Sequence, residues 1–163
     1  MNGRDPLNLV LDTTFLLPAF GVEIDVDTSE KIELAIQQLV KDSSTPIRIS
    51  DLSPLEGFLK AYRLAEKAKN EEGKKAAKMG FLAVTRDSSW LRMVPHTEEI
   101  IVNAAFEIRL THNDPFDCFI FATAKATGAR LVTEDSTAKK YLGSENVLSW
   151  EDLKRSLRSK RHA

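Results

Sequence analysis

Five short runs of hydrophobic residues are distributed along the chain. Short, nearly continuous apolar runs are typical of strands that lie buried in a parallel sheet. The first run, Leu-Asn-Leu-Val-Leu, ends directly before Asp12. The pattern therefore predicts five strands, at Leu7–Leu11, Ile47–Ile49, Trp90–Val94, Arg130–Thr133 and Asn146–Ser149.

Longer segments between these runs repeat their hydrophobic residues at the 3.6-residue period of an α-helix. One segment is unusually extended: Phe58–Val84 turns highly polar after Leu64 and then resumes a helical pattern, with Gly73 as a candidate interruption. We interpret it as a helical arm. The other predicted helices begin near Thr28, Ser53, Pro95 and Asp114, and two shorter ones cover Ser136–Leu142 and Glu151–Arg158. The helix at Asp114 has Pro115 at its first position and ends at Gly128. Residues 43–46 are predicted to form a turn.

Strands that alternate with helices over the whole length predict an α/β fold, with a parallel sheet and helices on both of its faces. A chain of 163 residues can bury a substantial core as one unit. The sequence contains no internal repeat, low-complexity segment or linker that would mark a boundary. We therefore expect a single domain over residues 1–163, with the arm at 58–84 inside it.

The composition and charge of the chain narrow the classes of protein to which it can belong. The formal net charge is −1, so no overall basic field indicates a nucleic-acid partner. The charge does not exclude such a partner, because a cluster of site acids would mask basic residues elsewhere. The single cysteine, Cys118, excludes an intrachain disulfide and a cysteine-based zinc site, and it fits a reducing compartment. No apolar run approaches the roughly 20 residues of a membrane span. We expect a cytoplasmic protein with no membrane partner.

Four acids follow predicted strands or open predicted helices, where α/β sheets bind their ligands. They are Asp12, Glu56, Asp117 and Asp135, with Asp114 as a possible fifth. Each has an alternative role, because acids in the first turn of a helix are favoured by the helix dipole. Ser53 and Glu56 match a capping box, Asp114 is a good N-cap residue, and Asp135 could cap the helix at Ser136.

Considered together, these acids predict a metal site. The carboxyl ends of parallel strands meet at one edge of a sheet, so the four carboxylates would converge there. Their mutual repulsion would then call for a bridging cation or for protonation. Oxygen-only ligands favour Mg²⁺ or Mn²⁺, whose associated chemistry is phosphoryl transfer. The sequence contains neither a P-loop motif nor a Gly-x-Gly-x-x-Gly fingerprint after a strand.

These residues resemble a known family. Leu9–Leu17 is similar to the first strand, Asp-Thr pair and aliphatic continuation of PIN domains, and Ser53–Glu56 resembles their second acidic motif. The most specific segment is Asp117–Asp135, which resembles the family's Asp-Ala-x-x-x-Ala-Thr-Ala helix, glycine turn, strand and Thr-x-Asp. Cys118 stands where the family usually has alanine. The family comprises metal-dependent nucleases, including the toxin ribonucleases of VapBC toxin–antitoxin pairs.

The resemblance implies a three-layer α/β/α sandwich around a parallel sheet of about five strands. It makes Asp12, Glu56, Asp117 and Asp135 both the catalytic and the metal-binding acids, with Mg²⁺ or Mn²⁺ as cofactor. It implies RNA as substrate, and a homodimer and an antitoxin protein as further partners. Thr13 or Thr133 would add a hydroxyl to the site. Asp114 is not a standard family acid, and we assign it to helix capping.

A second hypothesis stays open at this point. The chain could be a non-catalytic PIN-like module that binds RNA or protein, with acids that only cap helices. His96 and His112 lie at helix starts, without ligand spacing to a partner. They are therefore not included in the predicted site.

Overall fold

The computed structural model describes residues 8–42, 47–87 and 91–161. All five predicted strands are present in this part of the chain, and every pair of neighbours is parallel. Leu7, Trp90 and the turn predicted at residues 43–46 lie outside it. The strands are β1 Leu9–Leu11, β2 Ile47–Ser50, β3 Leu91–Val94, β4 Arg130–Val132 and β5 Val147–Leu148.

The strand order is β3-β2-β1-β4-β5, with β1 in the centre. The chain extends the sheet from β1 towards β3 on one side, and then crosses back to add β4 and β5 on the other. The topological switch point therefore lies between β1 and β4. Ligands of open α/β sheets bind at the carboxyl ends of strands at such a point. Leu11 and Val132 are paired at that end of the two strands.

The helices follow the periodic segments of the sequence. A 3-10 helix, Thr13–Phe20, follows β1 and ends at Gly21, whose φ of 79° is left-handed. A short π-helical turn, Ala83–Asp87, precedes β3, and a 3-10 turn, Ser144–Asn146, precedes β5. The α-helices are α1 Ser29–Asp42, α2 Ser53–Lys67, α3 Glu71–Leu82, α4 Glu99–Arg109, α5 Pro115–Thr127, α6 Ala138–Leu142 and α7 Trp150–Arg161.

Two hydrophobic clusters lie on opposite faces of the sheet, because successive side chains of a strand point to opposite sides. Leu9 and Leu11 pack into one cluster with residues of the first 3-10 helix, α1, α2, α3 and α7. Val10 packs into the other, with α4, α5 and α6. The predicted three-layer α/β/α sandwich is confirmed.

The predicted arm consists of two helices, α2 and α3, that pack against each other. The interruption lies at residues 68–70, and not at Gly73 as the sequence suggested. Lys69 has a positive φ of 52°, and the Asn70 side chain caps α3 by accepting a hydrogen bond from the Gly73 N–H. Asparagine is a strong N-cap, which explains why the new helix begins there and continues through the glycine. The buried residues Ala61 and Ala77 join these helices to the core.

The C-terminal helix is attached to the core by a polar contact. The Asp27 carboxylate accepts hydrogen bonds from the Trp150 indole N–H at 3.1 Å and from Lys154 Nζ at 3.0 Å. These bonds lower the pKa of Asp27 well below its usual range. The Trp150 ring stacks on Phe15, with centroids 5.3 Å apart. Within the described ranges, every helix is too short or too polar to cross a bilayer.

Candidate active site

Asp12 follows β1 at the switch point. Its backbone N–H donates to the Val132 carbonyl at 3.0 Å, which ties it to the end of β4. Asp12 occupies the N-cap position of the following 3-10 helix, but its side chain makes no capping bond there. Its Oδ2 instead accepts a hydrogen bond from the Thr133 hydroxyl at 2.6 Å. Helix capping therefore does not account for this carboxylate.

Glu56 enters the same region from the first turn of α2. It is only 3% exposed, and its carboxylate accepts a hydrogen bond from the buried Thr13 hydroxyl. Its other oxygen forms an ion pair with Lys60 Nζ at 2.5 Å. A buried charge is costly unless it is paired and hydrogen-bonded, and Glu56 has both kinds of partner.

The predicted Ser53/Glu56 capping box is wrong. The N-cap residue is Leu52, which has helical φ and ψ and no side-chain cap. Ser53 lies inside the helix, and its buried hydroxyl has no hydrogen-bond partner in the part of the chain that the structure describes. Because Thr13 and Lys60 bind the Glu56 carboxylate, it is not available to the end of its own helix.

Asp117 comes from the other helical layer, in the first turn of α5. Its Oδ2 lies 3.0 Å from His112 Nε2. Asp114, one turn earlier, performs the predicted capping role, with its carboxylate accepting bonds from the N–H groups of Phe116 at 2.8 Å and Asp117 at 3.3 Å. Pro115 at the first helical position and Gly128 at the C-cap, with φ 60°, complete this helix as predicted.

Asp12, Glu56 and Asp117 are electrostatically coupled, and we call them the carboxylate cluster. Burial raises the pKa of Asp12 to about 6, the Thr133 hydrogen bond opposes that rise, and the negative charges of Glu56 and Asp117 add to it. The pKa of Asp117 is raised as well, first by burial, while the His112 contact lowers it. The sheet edge and both helical layers each contribute one acid.

Asp135 lies beside the carboxylate cluster, but its carboxylate forms hydrogen bonds with Thr137. Its backbone N–H donates to the Thr133 hydroxyl at 3.0 Å, so the hydroxyl that contacts Asp12 also contacts Asp135. The Asp135 carboxylate accepts bonds from the Thr137 N–H at 2.8 Å and the Thr137 hydroxyl at 2.7 Å. In this structure it stabilises the turn before α6. That helix begins at Ala138 with Thr137 as its N-cap, so the predicted cap by Asp135 of a helix at Ser136 is wrong.

A comparison with family models matches the PIN domain over residues 9–142. The chain belongs to the PIN domain family. The matched region begins at β1 and ends at α6, so it contains the carboxylate cluster and Asp135.

Solved structures of other proteins share this architecture. One is a toxin–antitoxin complex from Klebsiella pneumoniae, at 16% identity and a TM-score of 0.51, covering 86% of this chain and 95% of that one. Another is VapC20 of Mycobacterium tuberculosis, described as a toxin that cleaves the sarcin–ricin loop. Its identity is 17% and its TM-score 0.55, with 81% and 93% of the two chains covered. No curated protein sequence matches the chain.

The donor chemistry of this PIN domain fits a hard divalent cation. The carboxylate cluster presents carboxylate oxygens, the ligands that Mg²⁺ and Mn²⁺ prefer. Burial raises the Asp12 pKa most, and a cation would relieve the repulsion by Glu56 and Asp117 that adds to this rise. Across residues 8–42, 47–87 and 91–161, however, no three His, Cys, Asp or Glu side chains are already arranged around a metal position.

Two residues at the PIN site were not found from the sequence. Lys60 has the spacing of an i, i+4 helix pair with Glu56, which by itself indicates only a surface ion pair. His112 precedes Asp117 by five residues across a helix start, a spacing that predicts no contact. Its position in the site depends on packing against Phe121 and Tyr141, whose ring centroids lie 5.5 and 5.7 Å from that of His112.

Proposed function

We propose that this PIN domain is a divalent-metal-dependent endoribonuclease that hydrolyses RNA phosphodiesters. The observation that carries the proposal is the carboxylate cluster: three acids from three structural elements are coupled at the switch point of the sheet. Assembling such repelling groups costs stability, and neither Asp12 nor Glu56 recovers that cost as a helix cap.

In this proposal Asp12, Glu56, Asp117 and Asp135 are the catalytic acids and hold Mg²⁺ or Mn²⁺. A bound ion of this kind lowers the pKa of a water molecule and stabilises the leaving oxygen. Asp135 would have to turn away from Thr137 to join the other three. Thr133 and Thr13 hold the Asp12 and Glu56 carboxylates by hydrogen bonds.

The decisive experiment compares two aspartates in one helical turn. Asp117→Asn should abolish Mn²⁺-dependent cleavage of a defined single-stranded RNA, while the fold survives. Asp114→Asn should retain cleavage, because asparagine caps a helix about as well as aspartate. Equal cleavage by wild type and Asp117→Asn would indicate a contaminating nuclease and remove the support for this function.

The structural relatives favour RNA as the substrate and suggest a toxin role. One is a toxin–antitoxin complex, and the other is a toxin that cleaves the sarcin–ricin loop. We propose an antitoxin protein and a second copy of this chain as further partners. Growth arrest on expression of wild type, absent with Asp117→Asn, would support the toxin role. Normal growth with active enzyme would favour RNA processing.

A second candidate function is binding without catalysis. The observation that favours it is the Asp135 carboxylate, which is occupied by Thr137 and not by the carboxylate cluster. Addition of Mn²⁺ separates the two functions, because a ligand that binds only the folded state raises the thermal midpoint. A midpoint that Mn²⁺ does not raise, together with RNA binding that EDTA does not change, would favour the binding module.

A further inference from the structure

Lys60 pairs with a buried acid of the carboxylate cluster on its own helix and interacts with two acids from other elements. Its Nζ is 2.5 Å from Glu56 Oε1; the lysine side chain is 50% exposed, whereas that of Glu56 is 3% exposed. The same ammonium is coupled to Asp12 and Asp117, which belong to the sheet edge and to α5. The ammonium thus contacts one acid of the carboxylate cluster and interacts electrostatically with the other two, and half of the lysine side chain is exposed.

The simpler interpretation is an ordinary i, i+4 ion pair. Such pairs are common on helices and contribute little to stability when both partners are exposed. Lys75 and Glu72 form an exposed i, i+3 pair on α3, at 2.7 Å and with side chains 71% and 82% exposed. Lys60 differs because its partner is buried and because acids from two further elements act on it.

Charge balance indicates what Lys60 does before any metal is present. Burial opposes the charged form of this lysine, yet the hydrogen bond and charge of Glu56 and the charges of Asp12 and Asp117 raise its pKa. The contact with Glu56 places this ammonium at the carboxylate cluster, where its positive charge offsets the repulsion among the three acids. A divalent cation at these carboxylates would meet a positive charge already in contact with Glu56.

We propose that Lys60 is the counter-ion of the carboxylate cluster in the metal-free protein, and that on metal loading it leaves Glu56 and contacts a phosphate of the RNA. This rests on the proposed nuclease function. A lysine suits both positions, since its ammonium is a compact charge on a flexible four-carbon stem with three rotatable donors. Half of the side chain is already accessible to a substrate.

The counter-ion role of Lys60 in the metal-free protein is tested by a double-mutant cycle in EDTA. Lys60→Met should lower the thermal midpoint, and Asp117→Asn should reduce that loss, because the repulsion that Lys60 offsets is then smaller. Coupling of this kind is expected only between groups that interact. Strictly additive effects of Lys60→Met and Asp117→Asn would overturn the counter-ion role and leave a local pair with Glu56.

The release of Lys60 on metal loading and its contact with an RNA phosphate are tested by Mn²⁺ titration calorimetry and by cleavage kinetics. Removing a positive charge next to the site should tighten Mn²⁺ binding by about tenfold in Lys60→Met. At saturating Mn²⁺ the same variant should show a raised KM for RNA, which Lys60→Arg restores. Lys75→Met is the matched control and should behave as wild type in both measurements. An unchanged KM would overturn the phosphate contact.

Failure of this inference and failure of the proposed function give different results. If wild type binds Mn²⁺ and cleaves RNA but Lys60→Met has the same Mn²⁺ affinity, only the role of Lys60 is overturned. If neither wild type nor Lys60→Met binds Mn²⁺, the metal-dependent function fails and the proposed release of Lys60 fails with it. The EDTA cycle then still decides whether Lys60 is the counter-ion.

Discussion

Thr133 donates a hydrogen bond from its hydroxyl to Asp12 Oδ2 over 2.6 Å, between residues that are 121 positions apart in the chain. The two residues follow β4 and β1, the strands on either side of the switch point. The same hydroxyl accepts a bond from the Asp135 N–H. Thr133 therefore holds the first and last acids of the predicted site at the same sheet edge.

Thr133→Val should raise the pKa of Asp12 above its present value of about 6, because the hydroxyl stabilises the charged carboxylate. Loss of a hydrogen bond to a charged group corresponds to about one pKa unit or more. NMR titration of the Asp12 carboxyl measures it. Thr123→Val is the control, since that buried hydroxyl donates to the Phe119 carbonyl within α5. Equal Asp12 pKa values in the two variants would contradict the role of Thr133.

The stability of the metal-free protein should depend on pH through Asp12. Its folded pKa of about 6 is above the unfolded value of 3.8, so the folded state binds this proton more tightly. The contribution to stability is fully present below pH 4 and is lost as the pH rises through 6, by about 3 kcal/mol in total.

Asp12→Asn removes that dependence. The free energy of unfolding of Asp12→Asn, relative to wild type, should increase between pH 4 and pH 7 and then stay constant. Urea unfolding in EDTA across this range measures the difference. Asp25→Asn, at an exposed acid, should keep the wild-type pH profile. A constant difference between Asp12→Asn and wild type over the whole range would contradict the raised pKa.

His112→Ala should raise the pKa of Asp117 further, because the His112 contact lowers it against the effect of burial. The imidazole also packs on Phe121 and Tyr141, so some stability should be lost with it. His112→Gln keeps a donor that can reach Asp117 and should recover part of the shift. NMR titration of Asp117 distinguishes the variants.

His96→Ala provides the comparison for His112. It removes a similar histidine–aspartate contact, in which His96 Nδ1 lies 2.9 Å from Asp51 Oδ1, outside the carboxylate cluster. The pKa of Asp117 should not change in this variant. A shift as large as that of His112→Ala would show that the effect is a general response to losing a histidine.

Gly80→Ala should destabilise the fold, because α3 approaches the first 3-10 helix closely at this glycine. A Cβ at position 80 would lie 2.7 Å from the Phe20 Cα, a contact with backbone that cannot move aside easily. We expect a loss of about 2 kcal/mol, as for overpacked cores. Urea unfolding measures it, and Met79→Ala, at a residue that is 64% exposed, should have little effect.

Local signals in the sequence were sufficient for most of the fold. All five strands were predicted because they are short apolar runs, and α5 was predicted with its caps because Asp114, Pro115 and Gly128 act through their own neighbouring backbone. The arm was located, but its interruption was misplaced. The sequence offers a glycine at position 73, whereas α2 ends at Lys67 and the Asn70 side chain caps the start of α3.

By itself, then, the sequence determined the α/β class, the family resemblance and the positions of Asp12, Glu56, Asp117 and Asp135, since all of these depend on residues near one another in the chain. Only the tertiary structure decided what each carboxylate contacts. Glu56 binds Thr13 and Lys60 instead of capping its helix, Asp117 meets His112, and Asp135 turns to Thr137. Those contacts depend on how strand ends and helices from both layers pack at the switch point. The spacing of residues along the chain does not predict this packing.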